Sequence, residues 1–472
     1  MKNNFKDVIG TTQMIVVFVI LSAIIFGLSC KLPKYIGIFP LYDSSVPAFR
    51  SDQVLVWKAP GATPGEFQFN LDSILRAHPN YQVNACSNCD RELALLTGVD
   101  AAKALGPVGQ LATGGSGGKG SGPQGIGYYW CVNFNIAVND PIDSLDNPKT
   151  PIDLRTKDYS GTPVVVGVLD TGVDTSQLRA AGYLDAGSTK SCLDPRAING
   201  WNFSAKNEDV QDKYKPIGHG ATAATLITQQ VDKIHKTPVK ILPVKIISDD
   251  GIANLYDVLC ALLYAKDRGA KIINASFGYY SCPIGDNPID SGALLFKEYI
   301  KHYLTKDHIL MIAAAGNYDA FQQLRTCGRI DRSLDKMNFY PASFAGDETM
   351  PNVITVTTGA KISSGYAVSP RQNYSPTVVD IATIADKVMG TFNDAYVFEN
   401  PRLSNSQIEG SSYATPIFTG IVAANYDALV AVISSGQFDK TTIIPELVRT
   451  GFIQSVPSFT SVRGGNVVKH LR

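Results

Sequence analysis

The stretch TPVVVGVLDTGVD, Thr162 to Asp174, decides the fold. Val164, Val165, Val166, Val168 and Leu169 form a near-continuous apolar run instead of alternating with polar residues. A strand of that kind is buried on both faces, as in a parallel sheet sandwiched between helices. Outward from it, VKILPVKII, GAKIINASFG, HILMIAAAGN and NVITVTTG repeat the texture, with helical stretches between several of them. Residues 150–472 are therefore expected to form an α/β domain, a parallel sheet with helices on both faces. Ligands in such sheets sit beyond the strand C-termini, which singles out Asp170 after VVVGVL, Ser276 after IINA and Asn317 after IAAAG.

Residues 51–139 have a different texture. DQVLVWK, YQVNAC and YYWCVNFNIAV read as strands, and GEFQFNLDSILRAHP has helical spacing at Phe67, Leu71, Ile74 and Leu75. LATGGSGGKGSGPQGIG, residues 111–127, has almost no large side chains and reads as a glycine-rich loop. Together these make a small α+β unit interrupted by a flexible loop. At the start, Lys2 and Lys6 precede the apolar run from Met14 to Leu28, which reaches Ser29 and Cys30. That is a secretory signal pattern. An uncleaved membrane anchor and a lipoprotein signal with a lipidated Cys30 are the alternatives, and all three place the protein outside the cytoplasm, secreted or held at the membrane or cell surface.

Lysine plus arginine and aspartate plus glutamate number 42 each, with no run of like charge, so no nucleic-acid partner is expected. The chain has eight cysteines, at 30, 86, 89, 131, 192, 260, 282 and 327, and an exported chain makes disulfides of some of them. Spacing does not pair them. Cys86-x-x-Cys89 with Cys131 lacks a fourth ligand at a zinc spacing, which favours disulfides or free thiols over a metal. Cys260, inside the helical pattern VLCALLYAKDRG, reads as a small buried hydrophobe.

Three polar stretches carry chemistry. Alone, Asp170 in LDTG reads as a turn residue, or as half of an aspartic-protease pair. His219 in IGHGATAATLI is flanked by Gly218 and Gly220, small neighbours that let a helix approach other backbone closely and leave the imidazole at an open edge. In EGSSYATPIFTGIVAANYDALV, Ser411 and Ser412 lie at a helix N-terminus, where they read as N-caps or as groups placed where backbone N–H groups stabilise negative charge. Pro416 is tolerable there only near the first turn.

In the order DTG, GHG, GSSxATP, these segments resemble those of the subtilisin-like serine proteases, the subtilases, from about residue 150 to the C-terminus. The resemblance implies a serine endopeptidase working through an acyl-enzyme. Against the family pattern G-T-S-x-A-x-P, Ser412 falls on the nucleophile and Ser411 on the threonine before it. The same resemblance makes His219 the general base, Asp170 its orienting carboxylate and Asn317 the oxyanion donor. It makes the backbone of Ser276, Phe277 and Gly278 the partner of an extended peptide substrate, with Tyr279, Tyr280 and Phe339 as pocket walls or plain packing. Residues 51–139 then correspond to a propeptide-like domain, or to a permanent accessory domain. Thr222, Ile417, the lengthened stretch after Asn317 and VDIATIAD without a following Pro-Gly depart from the family pattern. A disulfide between Cys282 and Cys327 would fasten two loops near the cleft. No metal or cofactor is required by this chemistry; calcium stabilises many relatives, but no aspartate-rich loop here can be assigned to it. A monomer acting on polypeptide substrates is expected. The alternatives are a silent subtilase fold that binds peptides and an aspartic protease using Asp170, the latter leaving GHG and GSSYATP unexplained.

Overall fold

The structure, a computed structural model, describes residues 49–469 except 87–88, 99–127, 138–160, 186–190, 195, 215–217, 282–290, 319–322, 324–326, 328, 363–364, 384–409 and 434–436. The expected signal segment with Cys30, the loop 111–127 and Cys282 lie outside the described residues.

The N-terminal unit comprises β1 (Phe49–Lys58), α1 (Pro64–Ala77), β2 (Gln82–Cys86), β3 (Asp90–Thr97) and β4 (Tyr128–Ala137). Helix α1 starts on a capping box: the Glu66 N–H donates to Thr63 Oγ1 at 3.3 Å and the Thr63 N–H to Glu66 Oε2 at 2.6 Å. Its Phe67 and Leu71 are buried with Val54, Val56, Ala94 and Leu96 of the sheet, as their spacing predicts. Strand β3, DRELALLT, was not anticipated from the sequence. Leucine and alanine carry little preference for a strand, and pairing with both β1 and β2 holds them in one. The strands run in the order β2-β3-β1-β4, and the free edge of β4 is completed by Ile252–Asn254 of the following domain.

That domain contains β5 (Val164–Asp170), α2 (Thr175–Ala180), β6 (Trp201–Asn202), α3 (His219–Ile234), β7 (Val239–Lys245), β8 (Ile252–Asn254), α4 (Leu255–Asp267), β9 (Ala270–Ala275), β10 (Tyr279–Ser281) and α5 (Ser291–Ile300). It continues with β11 (Leu310–Ala314), β12 (Asn338–Tyr340), β13 (Val353–Ile362), β14 (Gly365–Val368), β15 (Ile381–Thr383), α6 (Ser411–Ala424), α7 (Tyr426–Val432), α8 (Lys440–Arg449), β16 (Ile453–Ser455) and β17 (Asn466–Val468). Ten of the described strands form one sheet in the order β16-β17-β15-β13-β11-β9-β5-β7-β6, with β14 paired to β13. From β15 to β6 the pairing along this order is parallel. Alternate residues of β5 serve opposite faces. Val166 and Val168 join one core with α3 and α6, whereas Leu169 joins another with α4 and α5. The parallel sheet with helices on both faces is as the apolar runs imply.

The N-terminal unit packs on α4 and α5, and its Leu55, Trp57, Leu93 and Leu95 belong to the same core as Leu259, Phe296 and Tyr299. The Trp57 ring meets Tyr299 edge-on at 5.2 Å, Phe134 stacks on Tyr279 at 5.6 Å, and the Tyr256 N–H donates to Asn133 Oδ1 at 3.0 Å. Two disulfides cross this interface, Cys86–Cys260 and Cys89–Cys192. The first corrects the reading of Cys260. It is buried in α4 as expected, but its sulfur is bonded to the hairpin packed over that helix. Cys86 and Cys89 are thus both in disulfides, within the reading favoured over a metal. Cys327 is also disulfide-bonded. A closure across 103 residues, as in Cys89–Cys192, stabilises by about 5 kcal/mol in the chain-entropy picture.

Asp90 is buried at this interface, where it accepts from Tyr299 Oη at 3.0 Å and Tyr303 Oη at 3.3 Å. Burial pushes its carboxyl up to about 6 from 3.8, against the N–H of Glu92 and the two phenols, with Glu92 raising it further. A raised carboxyl means that the native chain holds the proton more tightly than the unfolded chain does. The stability contributed by the neutral form is complete below the ordinary carboxylate range and is lost as pH rises through about 6. Asp90→Asn should therefore stabilise the protein at pH 8, by at most about 3 kcal/mol, and have little effect at pH 4. Chemical denaturation at both pH values checks this; an equal loss of stability at both would show that ionisation of Asp90 plays no part.

Candidate active site

Strands β11, β9 and β5 lie side by side at the middle of the sheet and run parallel, so their C-terminal ends open on one edge. Asp170 ends β5, Ser276 follows β9, and Asn317 lies three residues beyond β11. Parallel pairing thus brings together all three residues singled out by their place after apolar runs.

Asp170 Oδ1 accepts from the Thr171 N–H at 2.7 Å and lies 2.6 Å from His219 Nδ1, with both side chains fully buried. His219 opens α3, and Gly220 explains how that helix comes so close. A Cβ at Gly220 would sit 2.2 Å from the Gly172 carbonyl oxygen and 2.8 Å from Asp170, so a side chain there would drive the helix off the DTG turn. The close approach expected of GHG is present, but the open edge is not. The imidazole is fully buried, with its ring 5.3 Å from that of Tyr413. Two further groups hold this corner. Thr171 Oγ1 accepts from the Gly220 N–H at 2.9 Å, and Asp212 Oδ2 accepts from the Ala221 N–H at 2.8 Å and from Thr171 Oγ1 at 2.9 Å. Burial raises the Asp212 carboxyl above its ordinary range. Asp212 carried no sequence signal, because a single aspartate in a polar loop matches no pattern.

Ser411 and Ser412 open α6, which is buried along its whole length. Pro416 is its sixth residue, beyond the first turn where it was expected to be confined. Proline has no N–H for the carbonyl four residues back, which is that of Ser412. Ser276 Oγ donates to that carbonyl at 2.8 Å instead, and Ser276 Oγ itself accepts from Asn274 Nδ2 at 3.0 Å. The Ser276 side chain therefore completes the helix that carries Ser412. The Ser412 hydroxyl donates to the Ser276 carbonyl at 3.3 Å.

Ser411 ties this helix to the β11 end. Its Oγ accepts from the Gly316 N–H at 3.0 Å and donates to Asn317 Oδ1 at 3.3 Å, while its own N–H donates to Gln372 Oε1 at 2.8 Å and Asn317 Oδ1 at 3.1 Å. Asn317 Oδ1 is thus turned to Ser411. Gln372, buried and bridged to Asn317 through the backbone, is a second residue that the sequence did not disclose. Its pattern is that of any glutamine in a polar turn.

Phe277 is buried, and Gly278 lies so close to β12 that a Cβ would sit 2.4 Å from the Phe339 ring. Tyr279, Tyr280 and Phe339 are buried too, and Tyr280 Oη donates to the Asn317 carbonyl at 2.7 Å. Strand addition is seen at β8, where Asn135, Ile136 and the backbone of Ala137 pair antiparallel with Asn254, Ala253 and Ile252. The edge at Ile252–Asn254 was missed because three residues are too few to show a period. Among the described residues, no group of three or more His, Cys, Asp or Glu side chains is placed to hold a metal ion.

With the proton on Nδ1 shared toward Asp170, Nε2 is the basic nitrogen of His219. A base of this kind can take a proton from a hydroxyl placed at Nε2, and a helix N-terminus favours negative charge.

Residues 161–436, more than half of the chain, match the subtilase family. The chain is 27% identical over 156 residues to a cell wall-associated protease of Bacillus subtilis, covering 32% of this chain and 16% of that protein. It is 25% identical over 262 residues to subtilisin-like protease 3 of Plasmodium falciparum, covering 53% and 30%. Thermitase of Thermoactinomyces vulgaris is 23% identical over 263 residues, covering 55% of this chain and 74% of thermitase. The chain spans less than a third of the length of the first two. Among solved structures, the epidermin leader peptide processing serine protease of Staphylococcus aureus aligns with 88% of this chain and 96% of its own, at 16% identity and a TM-score of 0.51. That likeness is one of fold.

Ser411→Ala would leave the buried Gly316 N–H without its acceptor and is expected to destabilise the domain by about 1–3 kcal/mol. Ser411→Thr keeps the hydroxyl and should recover most of the loss in urea denaturation. Equal losses for the two variants would show that the hydroxyl bonds are not the cause.

Proposed function

The chain belongs to the subtilase family, and from that premise we propose that it is a serine endopeptidase. Ser412 attacks the peptide carbonyl, His219 removes its proton and returns one to the leaving amine, and Asp170 holds the imidazole tautomer and stabilises the imidazolium. The tetrahedral oxyanion is received by Asn317 Nδ2 and the Ser412 N–H. An acyl-enzyme on Ser412 forms and is then hydrolysed. The observation that carries this reading is the 2.6 Å contact between His219 Nδ1 and Asp170, placed by the sheet edge beside the helix that begins at Ser411. The backbone at Ser276–Gly278 and the edge at Ile252–Asn254 are the surfaces for an extended polypeptide substrate.

The N-terminal unit is proposed as a propeptide-like domain. Its support is that β4 already occupies the Ile252–Asn254 edge and that Phe134 covers Tyr279. A second reading follows from the same contacts: the intact chain is silent while the unit stays in place, consistent with the full burial of His219. Export is supported by two disulfides, which persist in oxidising compartments. Attachment to a membrane, through the N-terminal segment or a lipidated Cys30, and a monomeric state complete the proposal.

Fluorophosphonate labelling of the purified chain, before and after a cut within residues 138–160, tests it. Label should map to Ser412, vanish in Ser412→Ala and rise after the cut unit is removed. Asn317→Ala should lower kcat/KM for a peptide substrate by about a hundred- to a thousandfold, the size of one oxyanion donor. Label on another residue, or none after removal of the unit, would reject the proposed nucleophile.

A further inference from the structure

Cys86 and Cys89 have no part in peptide hydrolysis, yet between them they carry both disulfides from the N-terminal unit to the peptidase domain. They are also neighbours of each other. The Cys89 N–H donates to the Cys86 carbonyl at 3.2 Å, a bond that holds the two Cα atoms within about 7 Å, the span that a disulfide bridges. Their bonds differ in access. Cys89 and Cys192 are both partly exposed, whereas Cys86 and Cys260 are 3% and 2% exposed. Cys89–Cys192 is thus the more exposed of the two bonds, and Cys86–Cys260 is the more buried.

We propose that Cys86 and Cys89 form a thiol–disulfide exchange switch: a dithiol reductant opens Cys89–Cys192, and Cys89 then takes Cys86 from Cys260, freeing the N-terminal unit of both links. In the first step the dithiol gives two electrons and two protons to Cys89–Cys192 and closes to its own disulfide. In the second, the Cys89 thiol loses its proton and the thiolate attacks Cys86 Sγ. The Cys86–Cys260 bond breaks, a Cys86–Cys89 disulfide forms, and Cys260 leaves as a thiolate that takes up the proton. The second step needs no further electrons. One equivalent of dithiol therefore severs two cross-links, including the more buried one.

Cutting the chain between β4 and β5 is then insufficient to release the unit. While either disulfide holds, β4 stays paired with Ile252–Asn254 and Phe134 stays on Tyr279, next to the Ser276–Gly278 segment. This consequence for activity rests on the peptidase reading; the exchange itself does not.

The test uses the full chain, cut within residues 138–160 by limited trypsin digestion at Lys149, Arg155 or Lys157 and titrated with dithiothreitol. Thiols are trapped with N-ethylmaleimide and read by non-reducing gel and peptide mapping. Without reductant the two fragments should migrate together. One molar equivalent should separate them and yield a peptide with an internal Cys86–Cys89 disulfide, with maleimide on Cys192 and Cys260. Cys89→Ser has one link fewer, yet it should release its fragment at least tenfold more slowly than the wild type, because the internal nucleophile is gone. Cys86→Ser should release at least as fast as the wild type. Separation without reductant, release from Cys89→Ser as fast as from the wild type, or maleimide on both Cys86 and Cys89 with no internal disulfide would overturn the switch. Fluorophosphonate labelling of the same samples reads the peptidase separately: unlabelled Ser412 after release counts against the nucleophile and leaves the exchange standing.

Discussion

Burial of β5 on both faces is the constraint on which the rest of this molecule depends. Six of its seven residues are buried, so a polar group cannot sit along the strand without losing its water and must be placed at its end. Beside it, β11 is buried throughout and β9 is buried except at Lys271. Parallel pairing then delivers three such ends to one edge, where Asp170, Ser276 and Asn317 meet two helices arriving from elsewhere in the chain. The chemistry of the site is a consequence of where a two-sided sheet permits polarity.

Both helices reach that edge by giving up something local. Helix α3 gives up side chains at its start, so that Gly220 can lie against the Gly172 carbonyl and His219 can reach Asp170. Helix α6 gives up a backbone hydrogen bond at Pro416, and the Ser276 hydroxyl takes its place on the Ser412 carbonyl. Ser411, which has no chemical step of its own, joins the same helix to Gly316 and Asn317. Each adjustment couples a helix terminus to a strand terminus, so the groups proposed to act on substrate are held by buried bonds to different elements. Precise placement of this kind, rather than any single residue type, is what a site of preorganised dipoles requires.

The N-terminal unit extends this logic across a second sheet. Its apolar face shares a core with α4 and α5, and β4 borrows β8 as its edge partner. A buried carboxyl at Asp90 and two disulfides from one hairpin tip fasten the same surface. The attachment is thus apolar, electrostatic and covalent at once, and each component responds to a different condition of the medium.

Much of this was legible in the chain order of residues. Near-continuous apolar runs identified the buried strands, the polar residues after them identified the site edge, and DTG, GHG and GSSxATP identified which side chains to expect there. These features are local, since period and neighbouring residues suffice to read them. What only the tertiary structure decided are relations between segments far apart in the chain. Asp212 and Gln372 support the site through hydrogen bonds that any carboxylate or amide in a polar loop could make. Cys260 looked like a packing residue because its helix is apolar all round, and its partner lies 174 positions away. Strand β3 runs against its own composition because β1 and β2 supply its hydrogen bonds. Local sequence carries the periodicity of a segment; the identity of the atom it meets is set by the folded path of the whole chain.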